Sequence, residues 1–381
     1  MKVLIYSSAF FSDNTLPLYK ALQAKGADVT LLYHLTRKNS ALFDDKDLIH
    51  KQGIFKAIEY PSIKRYESYC NLDNVFVENN PDGHIWDMES LFSTRRVLHF
   101  IKKGEYDYIH TDILFMFWKL ALLRYRKITI RAIHEPIPHA HKVSLIDRFF
   151  RYVNFKLTPK IVIYNHFLKN EFCEKYNIKP QRVLAENLGQ LDTITVFKNI
   201  NTNVSSKKIV FWGRISRYKG LEFLCEAMTK VHAKIPDATL VIAGSGDFYF
   251  DIEPYRKLPY IEIIHRFLDA KDLAQIISDC MFTVCPYVSS SQSGGVVTSL
   301  VMGKPVIGTD LEAMHEMIED KITGLLVPPR DATQLANAII YLLENNQVRE
   351  EMVRNIEERN KQNHGCEKVA DALIPFYRIK L

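Results

Sequence analysis

From residue 208 to residue 343 short apolar runs alternate with longer segments whose apolar residues recur at helical spacing. Residues 209–212, 238–243, 260–264, 281–285, 305–307 and 325–327 read as strands, and Leu221, Leu224, Cys225, Met228 and Val231 share one face of a helix. A strand that returns to its sheet through a helix must pair in parallel, and helices then cover both faces of the sheet. This half of the chain is therefore expected to be a doubly wound α/β domain, opened at its far end by the capping pattern of Asp331 and Gln334. Ligands of such sheets sit beyond the carboxyl ends of the strands.

The first half reads in the same way, less regularly. Residues 1–6 form a first strand, 16–22 a helix stopped by Lys25-Gly26, and 29–33 a second strand. Further units lie around 106–110, 114–125 and 128–133, whereas 39–81 reads as loops near an acceptor site. A chain of 381 residues exceeds what one core usually holds. The expectation is two facing Rossmann-like domains with a cleft between them: residues 1–187, a linker at 188–207 rich in Asn, Thr and Ser, and residues 208–365. A helix within 366–381 is expected to cross back onto the first domain.

Composition removes several classes of function. The net charge of +6 is spread along the chain, which argues against a nucleic-acid surface and suits an anionic ligand. No apolar run reaches the length of a membrane span, and residues 1–6 are too short for a signal peptide. The six cysteines form no CxxC pair, which favours a reducing, cytoplasmic setting. The histidines lack metal-ligand spacing, and the run Asp44-Asp45-Lys46-Asp47 lies in a polar loop of the wrong half, so no metal is expected.

Chemistry concentrates at two turns of the second half. Trp212-Gly213-Arg214-Ile215-Ser216-Arg217-Tyr218-Lys219-Gly220 sets two cations, Arg214 and Lys219, between a strand and a helix, where they suit a diphosphate. Ser289-Ser290-Ser291-Gln292-Ser293-Gly294-Gly295 feeds a helix N-terminus, whose free N–H groups bind phosphate or sugar hydroxyls.

Together with Ala243-Gly244-Ser245-Gly246-Asp247, Phe267-Leu268-Asp269, Pro286-Tyr287, Gly303-Lys304-Pro305-Val306-Ile307, Glu316 and Gly324-Leu325-Leu326-Val327, these motifs span about 135 residues in order and spacing. They resemble the donor-binding lobe of a GT-B fold glycosyltransferase of the large retaining family four, the glycosyl transferases group 1 type; the first half resembles the acceptor lobe weakly. The resemblance implies that Arg214 and Lys219 bind the donor diphosphate and stabilise the leaving group. It implies further donor-binding positions at Gly213, Gly244, Ser290, Gln292, Ser293, Gly294, Gly295, Thr298 and Glu316. His134 matches the family's histidine near the donor sugar, and His110 matches a second strand-end position that could line the acceptor site.

Ser290 and Thr298 stand where many members of that family carry two glutamates, so this sequence is a variant of the pattern. Glu316 could accept ribose hydroxyls in place of the acid absent at Thr298, or brace the preceding loop.

The resemblance implies a retaining hexosyltransferase for polysaccharide biosynthesis, moving a sugar from a nucleoside diphosphate sugar to a glycan or a lipid-linked saccharide. No cofactor and no protein nucleophile are expected. Two alternatives stand beside it: a sugar-nucleotide 2-epimerase of the same fold, disfavoured by the absent acids, and a non-catalytic nucleotide-sugar-binding subunit. Residues 146–157 alternate aromatics with Arg and Lys, a pattern that fits a peripheral contact with a membrane surface as well as packing on the acceptor sheet.

Overall fold

The computed structural model describes residues 1–36, 42–43, 52–80, 87–137, 144–186, 189, 191–198, 207–290, 293–362 and 365–379. Gln292, His139, His141 and the run 44–47 lie outside the described residues. The chain divides into two units, Met1–Gly189 with Gly365–Leu381, and Gln190–His364.

The first unit runs β1 (Lys2–Ser8), α1 (Ser12–Ala24), β2 (Asp28–Leu35), β3 (Gly53–Lys56), α2 (Pro61–Lys64), β4 (Val75–Asn79), α3 (Met88–Gly104), β5 (Tyr108–Thr111), β6 (Thr129–Ile133), α4 (Leu145–Leu157), β7 (Lys160–Ile163), α5 (Leu168–Tyr176) and β8 (Val183–Ala185). Its eight strands are ordered β3-β4-β2-β1-β5-β6-β7-β8, all parallel except β3, which pairs antiparallel with β4. Region 39–81, expected as loops, thus contributes two strands. The alternation that marks an independent strand is weak there, and only pairing with β2 makes Val75 and Val77 core residues.

The second unit continues with β9 (Lys208–Trp212), α6 (Leu221–Lys234), β10 (Thr239–Gly244), α7 (Glu253–Arg256), β11 (Ile261–His265), α8 (Ala270–Ser278), β12 (Phe282–Cys285), α9 (Gly294–Val301), β13 (Val306–Thr309), α10 (Glu312–His315), β14 (Gly324–Val327), α11 (Ala332–Glu344) and α12 (Asn346–Gln362). The six strands are ordered β11-β10-β9-β12-β13-β14 and all are parallel. The winding direction changes between β9 and β12, so their carboxyl ends flank the position where open α/β sheets bind ligands. The expected linker is corrected in part: Asp192–Phe197 forms a 3-10 helix, and Ile194 packs with Ala274, Ile277, Val301 and Met302. Burial of these apolar side chains, invisible in a composition rich in Asn and Thr, ties the segment to the second unit.

The last helix, α13 (Cys366–Arg378), belongs to the first unit and packs on α1. Its inner face carries Val369, Ala370, Leu373 and Tyr377, all buried. The Tyr377 hydroxyl meets His110 Nδ1 at 2.8 Å, and Lys160 Nζ donates to the Tyr377 carbonyl. Replacement Tyr377→Phe keeps the ring and leaves buried His110 without this partner, so unfolding in denaturant should lose about 1–3 kcal/mol. An unchanged midpoint would mean that the bond does not hold the helix.

Candidate active site

In the second unit, β9 delivers the chain into a loop braced on both sides. Gly213 and Ile215 donate their N–H groups to the carbonyls of Ala243, at 2.9 Å, and Ser245, at 2.8 Å, which fastens the loop to the end of β10. Gly244 at that strand end has no room for a Cβ, which would stand 1.9 Å from the Gly213 carbonyl oxygen. On the other side Val288 donates to the Tyr218 carbonyl at 2.8 Å. Gly220, with φ +64°, presses so closely on β12's exit that a Cβ would stand 2.0 Å from the Pro286 oxygen.

The two cations of this loop differ. Arg214 is exposed and pairs with none of the described residues. Lys219 is only 9% exposed; its Nζ lies 3.8 Å from the Tyr287 ring centroid, donates to the Tyr287 hydroxyl, and stands 5.2 Å from the Tyr218 ring. Burial lowers its pKa to about 8, with Arg214 lowering it further and Cys285 opposing. Lys219 is thus a cation at neutral pH, and one that an arriving anion would stabilise.

Beside it the helix α9 begins. Ser293, buried, caps the helix by accepting from Val296 N–H at 3.2 Å, and its hydroxyl donates to the Tyr287 oxygen at 3.1 Å. Gly294 and Gly295 occupy the first turn, where N–H groups have no acceptor within the helix. A Cβ on Gly295 would stand 3.0 Å from the Tyr287 hydroxyl. Ser290 is partly exposed ahead of this turn. Thr298 is 5% exposed within α9, so its side chain sits in the packed face of the helix. Glu316, half-buried, follows α10 as its C-cap residue.

In the first unit His134 follows β6, stacked on Phe11 with ring centroids 3.8 Å apart and on Tyr164 at 5.0 Å. It is 9% exposed, and burial, with a smaller effect from His110, lowers its pKa to about 3. The ring is neutral throughout the physiological range and has one N–H to donate and one nitrogen to accept. His110 is 1% exposed and held against Tyr377, and burial lowers its pKa to about 4. The side chain is thus packed against α13, in the surroundings of a core histidine.

Three further residues matter for contacts that their sequence positions do not reveal. Tyr287 is the common partner of Lys219 and Ser293, and its carbonyl accepts from Thr309 Oγ1 at 2.6 Å. Asp112, just past β5, accepts from the Ser7 hydroxyl and from Ser8 N–H at 2.8 Å, and burial raises its pKa to about 7. Arg131, 1% exposed on β6, donates to the Ile113 carbonyl and lies 4.4 Å from the Phe115 ring centroid. A charged residue inside an otherwise apolar strand was the available signal for Arg131.

Residues 206–345 match the family described as glycosyl transferases group 1. An alpha-D-kanosaminyltransferase of Streptomyces kanamyceticus is 27% identical over 173 residues, 45% of each chain. The matches cover 45% and 60% of the lengths of that protein and of a second relative, so the chain spans about half of these relatives. Sucrose-phosphate synthase from Thermosynechococcus elongatus superposes with a TM-score of 0.69 at 16% identity, covering 99% of this chain and 98% of that one. HepE of Anabaena, in complex with UDP-glucose, superposes with a TM-score of 0.66 at 15% identity, covering 98% and 99%. The chain therefore has the GT-B fold of these structures, and its residues 206–345 carry the sequence pattern of glycosyl transferases group 1.

Proposed function

We propose that the protein is a retaining glycosyltransferase that moves a hexose from a nucleoside diphosphate sugar to a hydroxyl of a glycan or lipid-linked saccharide. The observation that supports this reading is that one loop carries two cations, buried Lys219 and exposed Arg214, and that Tyr287 links Lys219 to the first turn of α9, inside the segment that matches the family. In this reading the bond between the anomeric carbon and the phosphate oxygen breaks, and its electron pair leaves with the diphosphate. Arg214, Lys219 and the N–H groups of Gly294 and Gly295 hold that growing charge, which favours the transition state over the bound donor. The acceptor oxygen bonds to the anomeric carbon on the same face, and its proton passes to the departing diphosphate oxygen. Positive charge that a divalent ion supplies in other transferases comes here from the two side chains. UDP-glucose, crystallised with HepE, is the first donor to test, and UDP, also crystallised with it, the first ligand for binding measurements.

Replacing Arg214 or Lys219 by a neutral residue removes a charge-assisted contact and should weaken UDP binding by about ten- to a hundredfold in calorimetry. Since the free protein loses the Lys219 proton as pH rises through about 8, wild-type affinity should fall between about pH 7 and 9, whereas a Lys219→Arg variant should stay flat. Equal affinity in the neutral variants would remove the diphosphate role.

His134, neutral and held flat between Phe11 and Tyr164, is proposed to hydrogen-bond the donor sugar during transfer. Its replacement by Ala should lower turnover by about ten- to a hundredfold with little change in UDP affinity, while a normal rate would leave it a packing residue. The same assay without acceptor separates the alternatives: slow release of free sugar and UDP fits a transferase, inversion at C2 an epimerase, and binding without turnover a binding subunit.

A lipid-linked acceptor is supported by α4. Phe150, Asn154 and Phe155 face the core, yet Leu145, Ile146, Phe149 and Tyr152 are exposed by 80%, 48%, 60% and 54%, with Arg148 and Arg151 among them. Among the described residues no helix is long and apolar enough to cross a membrane. An in-plane contact with the cytoplasmic membrane face fits these side chains. Full-length protein should sediment with vesicles containing anionic phospholipid, and Leu145→Asp/Phe149→Asp should stay in the supernatant; equal sedimentation of both would refute the contact.

A further inference from the structure

At the amino ends of β12 and β13 lies a cavity of about 350 Å³ that has no part in the donor reading. It is separated from Tyr287 and Ser293 by the whole length of β12 and α9. One wall is the end of α8 with Ser278; another is the turn Met302-Gly303-Lys304 between α9 and β13; the third is the start of α12, with Arg349 and Glu350, and Lys198 closes one side.

Its polar groups are unevenly satisfied. Lys304 Nζ donates to the carbonyls of Ser278, at 2.8 Å, and Cys280, at 2.6 Å, which leaves one of its three N–H groups. Arg349 donates to the Leu342 carbonyl and to Asn346 Oδ1, leaving further N–H groups of the guanidinium. The Ser278 hydroxyl is buried, in a residue 4% exposed, and has no hydrogen-bond partner among the described residues. Lys198 Nζ stands 3.6 Å from where a Gly303 Cβ would be. Burial lowers the Lys304 pKa, Cys280 and Asp279 oppose this, and Lys198 adds to it, so the two ammonium groups feel each other across the cavity wall. An anion between them would relieve that repulsion and supply acceptors to every remaining donor. Glu350 and Glu357 stand at the same cavity and offer acceptors for hydroxyl groups.

We propose that this cavity is a binding site for a phosphate monoester of a sugar, with the phosphate between Lys198, Lys304 and Arg349 and the sugar hydroxyls toward Glu350 and Glu357. The size suits a hexose phosphate, since small-molecule sites begin at about 300 Å³. Its occupant would touch Met302, at the far end of the helix whose first turn offers the open N–H groups of Gly294 and Gly295.

Calorimetric titration of the full chain with inorganic phosphate and with glucose 6-phosphate tests this. Saturable binding of both is expected, tighter for glucose 6-phosphate, retained in Arg214→Ala, and about tenfold weaker in Lys198→Ala and in Ser278→Ala. Thermal unfolding of the three variants checks that each is folded. Absence of binding overturns the proposal, as does binding that Lys198→Ala and Ser278→Ala leave unchanged. Loss in Arg214→Ala alone would assign the phosphate to the loop after β9 instead. Equal affinity for the two probes would overturn the role of Glu350 and Glu357.

Discussion

The contact on which the arrangement of loops in the second unit depends is the buried ammonium of Lys219 on the ring and hydroxyl of Tyr287. A cation taken out of water is costly unless other groups replace its hydration, and here one aromatic ring and one hydroxyl do so. The consequence is geometric. Tyr287 is also the partner of Ser293, which caps α9, and of Thr309 at the end of β13. One residue therefore couples three places: its hydroxyl joins the loop after β9 to the cap of α9, and its backbone carbonyl accepts from the end of β13. Burial costs the charge part of its stability and lowers its pKa, and an anion placed beside it would offset that cost.

Glycine does the complementary work at this edge of the sheet. Gly220 lets the turn of Lys219 rest against Pro286, and Gly295 leaves the Tyr287 hydroxyl its space. A side chain at Gly220 would collide with the Pro286 backbone and push the loop of Lys219 off the exit of β12, whereas one at Gly295 would crowd the Tyr287 hydroxyl. The first unit uses a different device at its own strand ends: Asp112 and Arg131 are buried with incompletely compensated charge, and His134 is held flat between two rings and kept neutral. Preorganised groups of this kind need no rearrangement when a ligand arrives.

Much of this was legible in the residues. The alternation after Lys208 located all six strands of the second sheet, and Gly213-Arg214 with Lys219-Gly220 marked the loop beyond β9. The failures have physical reasons. Strands β3 and β4 went unseen because edge strands and short buried strands carry little periodicity of their own. The segment around Ile194 looked like a linker because composition is averaged over residues, while one buried isoleucine decides where a segment packs. The burial of His110 and Arg131 was equally invisible, since sequence gives a strand end without the direction of its side chains.

Sequence alone determined the class of fold, two doubly wound sheets, and the strand-to-helix turns where charge gathers. Periodicity and local turn chemistry are properties of neighbouring residues, and they survive without any tertiary contact. Only the tertiary structure decided that Lys219 is buried while Arg214 is exposed, that Tyr287 joins Lys219 to the cap of α9, and that Lys198, Ser278, Lys304 and Arg349 meet around one cavity. These depend on which strand lies beside which and on how much water each group loses, and both are fixed by contacts between residues far apart in the chain.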